Sequence, residues 1–88
     1  MTTVYWPTLT DDELDAIRKR AEQATPGPWI SFIEGRNCRC GSDFIQTGSE
    51  DIELSGGPPA DQDFIAHARM DVPRLLDEIR RLRVAPHA

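Results

Sequence analysis

The chain has 88 residues, 39% of them hydrophobic and 28% charged, which is the ordinary range for one small globular domain. A chain of this length buries only about 60 to 65% of its unfolded surface, so large multi-substrate enzymes with deep dry cavities are excluded. Fifteen acidic against ten basic side chains give a net charge of -5. The long-range field repels phosphate backbones, so non-specific nucleic-acid binding is not expected.

In chain order, residues 1–8 read as an N-terminal arm. Its opening Met1-Thr2-Thr3-Val4-Tyr5-Trp6-Pro7 lacks the basic and apolar stretches of a signal peptide. Tyr5 and Trp6 are too apolar for a free tail. They are expected to pack on the domain's own sheet or to bring two copies together as a homo-oligomer.

Thr10-Asp11-Asp12-Glu13 has the form of a capping box and starts a helix. Leu14, Ile17, Ala21 and Ala24 fall on its inner face, with Asp15–Lys19 and Arg18–Glu22 spaced as outer pairs. Thr25-Pro26-Gly27-Pro28 ends it, because proline removes amide donors and pushes the preceding residue out of helical geometry.

From here the periodicity shortens. Residues 29–33, 43–47 and 52–54 are brief, rich in β-branched and aromatic side chains, and separated by glycine-bearing segments. They read as a three-stranded antiparallel meander with a long polar first connection and a tight turn at residues 48–51. After the breaker Ser55-Gly56-Gly57-Pro58-Pro59, Asp61 caps a short helix that turns Phe64, Ile65, Ala68 and Met70 inward. Asp71-Val72-Pro73 predicts an elbow. A last helix then carries Leu75, Leu76, Ile79 and Leu82 as its apolar stripe and Asp77–Arg81 as an outer pair, and residues 84–88 are expected to fray.

The predicted order is therefore α-β-β-β-α-α, a two-layer α+β single domain in which the first and last helices cover the sheet. With no apolar run near the roughly 20 residues that span a bilayer, neither a membrane anchor nor a membrane partner is expected, and the compartment is the cytosol. There the spacing of Cys38 and Cys40, too close to staple anything distant, favours free thiols.

Two segments carry a family resemblance: residues 24–29, Ala-Thr-Pro-Gly-Pro-Trp after a capped helix, and residues 61–78, with Phe64-Ile65-Ala66-His67-Ala68 and Leu75-Leu76. They resemble the small accessory proteins of phages, prophages and actinobacteria related to the Ead-type family of lambdoid phages. About a third of the chain is covered. The matching residues are scaffold, so the resemblance implies origin and fold and transfers no catalytic residue.

No set of residues points to catalysis. Cys38 and Cys40 lack two further ligands at zinc spacing, so no metal and no cofactor are expected. The neighbouring Arg36 and Arg39 would favour reactive thiolates, but no base or resolving thiol accompanies them. His67 reads as a helix histidine pairing with Asp63 rather than as a general base. A non-enzymatic binding module is the favoured reading, one that meets a basic host or competitor protein as inhibitor or adaptor through an acidic surface of Glu50, Asp51, Glu53, Asp12 and Asp15. The alternative is a binder of an anionic nucleotide or metabolite, with Arg36 and Arg39 holding phosphate and Trp29 and Phe32 stacking a base, in a pocket completed at an oligomer interface.

Overall fold

In a computed structural model that describes residues 8–39 and 41–84, the elements follow in the order α1 (Asp11–Gln23), β1 (Ile30–Phe32), β2 (Phe44–Gln46), β3 (Ile52–Glu53) and α2 (Pro59–Val84). The α+β class and the antiparallel meander are as the sequence predicts. Tyr5 and Trp6 lie outside the described residues, as does Cys40.

The capping box forms in full: the Thr10 amide donates to Glu13 Oε1 at 3.0 Å and the Glu13 amide to Thr10 Oγ1 at 3.1 Å. Those bonds to Thr10, its backbone amide first, hold the Glu13 carboxyl below its usual range. The helix buries no residue fully and packs on α2, making no contact with the strands. The expectation that both terminal helices cover the sheet is therefore corrected: α2 alone does so.

In the sheet, β2 is central, with Ile30 opposite Gln46, Ser31 opposite Ile45 and Phe32 opposite Phe44 on one side, and Phe44 opposite Glu53 on the other. Strand alternation puts Ser31, Ile33 and Ile45 on the α2 side. Ile33 and Ile45 are buried there, with Ala66 and Leu76 of α2 as the other buried apolar side chains among the described residues.

Three expectations for the second half of the chain are corrected. The elbow at Asp71-Val72-Pro73 does not form: α2 is one helix of 26 residues with Pro73 inside it, beginning at Pro59 rather than Asp61. A proline in a helix interior costs about 3 kcal/mol or more, yet here both flanks are anchored, by Gln62 and Ala66 on the sheet and by Leu76 beside α1. A break would lift one flank from its partner. Phe64 and Ile65 do not turn inward, and in the last stripe Leu76 is buried while Leu75 and Leu82 face solvent. The outer pairs are re-sorted too: Arg18 holds Asp77 at 2.9 Å, Arg81 pairs with Glu78, and Arg83 holds Asp11 at 3.1 Å. The fold is elongated, with a radius of gyration of 16.5 Å where a compact chain of this length has about 12 Å.

Candidate functional site

The sheet and the start of α2 are joined by polar groups. Gln62, 4% exposed, aims its amide nitrogen at the β1 and β2 backbones, donating to Phe32 O at 3.1 Å and Phe44 O at 3.0 Å, and reaching Ser31 Oγ at 2.9 Å. One helix turn thus fixes the spacing of two strands. Beside it Arg36 forks both guanidinium nitrogens onto the Asp63 carboxylate at 3.0 and 2.9 Å. Arg36, with Ser31 second, holds the Asp63 carboxyl well below its ordinary 3.8, at about 2. His67 uses Nδ1 on the backbone oxygen of Asp63 at 2.8 Å. It pairs with the carbonyl of that residue, not with the carboxylate, which Arg36 occupies.

The β1–β2 connection closes on itself. Gly35 takes a φ of 83°, a left-handed turn for which glycine carries no steric penalty. Asn37 clamps the turn, accepting from the Ile33 amide at 2.7 Å and donating to Ser31 O at 2.9 Å. Glu34 closes the far side, its amide donating to Asp43 Oδ1 at 2.8 Å and its carboxylate accepting from the Gly41 amide at 2.8 Å. Cys38 is disulfide-bonded, which corrects the free-thiol expectation for that residue. The backbone bridge between Glu34 and Cys38 closes the turn that carries this residue.

Opposite α2, the sheet presents Ile30, Phe32, Phe44, Gln46 and Glu53. Phe32 and Phe44 are stacked with centroids 5.1 Å apart and planes 15° from parallel. Among the described residues no helix packs on this side. Register sets Glu53 beside Phe44, and the adjoining turn adds Glu50 and Asp51, all three exposed. The turn is braced by Thr47, whose Oγ1 donates to Glu50 O at 2.8 Å and accepts from the Ser49 amide at 3.0 Å. The three carboxylates are left facing water.

Asp12 and Asp15 stand on α1, which does not touch the strands. Asp15 lines a groove of about 320 Å³ between α1 and α2 with Leu14, Leu76 and the cations Arg18, Arg80 and Arg83, so negative charge is offset there and stands clear at the strand turn. Of the residues expected to hold an anion, Arg36 is committed to Asp63, and the Trp29 ring nitrogen donates to Thr25 O at 3.0 Å. The same oxygen accepts from Arg69 Nε at 2.8 Å, and the Trp29 amide meets Met70 Sδ at 3.4 Å. Trp29 therefore ties the helix stop to α2. Phe32 belongs to the stack, and Arg39 is exposed. Sequence reasoning missed Ile30 and Phe44 as partners of Phe32; the alternations Ile30-x-Phe32 and Phe44-x-Gln46 were the available signal.

Among the described residues no group of three histidine, cysteine or carboxylate side chains is arranged to hold a metal ion. Nor is any described helix long and apolar enough to cross a membrane. In comparisons with known proteins, the chain matches no family model, no curated protein and no solved structure.

Proposed function

We propose that this protein is a non-catalytic binding module that holds a basic partner protein on the open side of its sheet. The observation that carries the reading is the juxtaposition of the Phe32–Phe44 stack with Glu53 across the β2–β3 register. Aromatic and aliphatic surface supplies contact energy, and unpaired carboxylates at the rim select a cationic partner and speed its approach. Ile30 extends the apolar patch, and Glu50 and Asp51 extend the acidic rim. The resemblance of residues 24–29 and 61–78 to phage accessory proteins makes the partner a host or competitor protein, with the module acting as inhibitor or adaptor.

The test is affinity capture from bacterial lysate with the wild type, with the charge swap Glu50→Arg/Asp51→Arg/Glu53→Arg, and with Phe32→Ser. A basic protein held stoichiometrically by the wild type, and lost from both variants at unchanged circular dichroism, is the expected result. Equal capture by all three proteins overturns the reading.

A further inference from the structure

We infer that two copies of this chain associate in parallel through a coiled-coil seam along α2, on a face that the single chain covers only in part. Ile65, Ala68, Val72, Leu75, Ile79 and Leu82 follow one another at alternating spacings of three and four. That is the a/d repeat of a heptad, which keeps one stripe facing a partner helix. Ile65, Val72 and Ile79 take the a positions, and Ala68, Leu75 and Leu82 the d positions. β-Branched residues at a with leucine at d favour two parallel strands over higher oligomers. The intramolecular work of α2 is done elsewhere on its circumference, by Gln62 and Ala66 against the sheet and by Arg69, Pro73, Leu76 and Arg80 along α1. The seam lies beside that surface. Leu75 is 59% exposed, Leu82 56% and Ile65 42%, Phe64 at the start of the stripe is 75% exposed, and Ala68, Val72 and Ile79 are half-buried.

Charge selects the occupant and its direction. In a parallel pair the g residue of one helix faces the e residue of the following heptad in its partner, which sets Glu78 against Arg83 of the second copy. Within one chain Arg83 holds Asp11 and the Leu9 carbonyl, and Glu78 holds Arg81; with side chains 39% and 51% exposed, the two would share those partners with each other across the seam. An antiparallel pair instead brings g against g and sets Asp71 against Glu78, which repel. The economy of the monomer points the same way. Four buried apolar side chains among the described residues, no buried residue in α1 and a radius of gyration of 16.5 Å describe a core left open on one side. The twofold would bring the two α1–α2 pairs into a four-helix arrangement, with both open sheet sides left free for the partner proposed above.

The test is solution mass of the full chain over a hundredfold range of concentration, with Leu75→Glu/Leu82→Glu as the disrupting variant. The wild type is expected to rise to twice the 9.9 kDa chain mass, and the variant to stay at the chain mass with unchanged helical circular dichroism, since both side chains are exposed. Direction is read with Leu75→Cys: at a d position of a parallel pair this residue meets its own symmetry mate, so mild oxidation gives a cross-linked dimer that the wild type does not give. A wild type that stays monomeric, a dimer that survives Leu75→Glu/Leu82→Glu, or a dimeric Leu75→Cys that does not cross-link overturns the inference. The charge swap at Glu50, Asp51 and Glu53 leaves the mass unchanged, so failure here is separable from failure of the proposed binding face.

Discussion

The two ends of α2 are held in different ways. At its start, the helix meets the sheet through a buried amide with three partners, a two-point ion pair and Ile45, the only fully buried large side chain among the described residues. Toward its end it meets α1 through Leu76 and the ion pairs Arg18–Asp77 and Arg83–Asp11. The first contact is specified by geometry, since hydrogen bonds to strand carbonyls accept one register. The second is specified mostly by charge and a narrow apolar seam. The sheet contact lies at the end where the aromatic face is presented, and the exposed apolar stripe of α2 runs past both contacts, from Phe64 and Ile65 to Leu75 and Leu82.

Substitutions sharpen this contrast. The largest effect is expected from Ile45→Ala, which removes a side chain with no exposed surface and should cost about 2–5 kcal/mol in chemical denaturation. A cost below about 1 kcal/mol would show that the sheet half is loosely packed. Gln62→Ala comes next, because it leaves Phe32 O, Phe44 O and Ser31 Oγ without this buried donor. The expected loss is about 1–3 kcal/mol. If Gln62→Glu were as stable as the wild type at neutral pH, the amide would not be the clamp described. Acid provides a third test at the same end. Asp63 has its folded-state pKa depressed from 3.8 to about 2, so its stabilising contribution is present above the unfolded value and is lost as pH falls from about 4 toward 2. Thermal melts across that window should fall less steeply for Asp63→Asn than for the wild type, and parallel profiles would mean that Arg36 does not select the charged form.

What the sequence made legible follows the same division. Thr10 and Glu13 announce α1 because a capping box is local, and the strands show in their β-branched and aromatic runs. Pro73 misleads because a local rule about proline competes with packing on both flanks of the helix, and packing wins. Helical periodicity shows that α2 has apolar stripes without showing which one meets the domain. Phe64 and Ile65 look like core and Gln62 does not, although Gln62 is the buried residue, since glutamine is seldom inside unless its amide is fully partnered. Those partners are 18 to 31 positions away. Arg36 and Asp63, 27 apart, pair for reasons no local pattern carries. The acidic turn at residues 50–53 was visible as composition, but the aromatic stack beside it depends on strand register.

The smallest effect is expected at the α1 end. Arg18 and Asp77 are joined at 2.9 Å, with side chains 31% and 72% exposed, and exposed pairs of this kind contribute about 0–1 kcal/mol because water and salt screen them. Arg18→Met keeps most of the aliphatic stem, which lines a groove with Ala21 and Leu76, and removes only the charge. It should therefore shift the midpoint by less than about 1 kcal/mol, and the shift should shrink further at 1 M salt, where the screening length falls to about 3 Å. Arg18→Ala removes the stem as well and should cost more than Arg18→Met by an amount that salt does not change. If the two variants behave alike and both respond to salt, charge alone joins α1 to α2. If neither responds, the apolar seam at Leu76 carries the contact, and the contrast between the two ends of α2 becomes one of area rather than of kind.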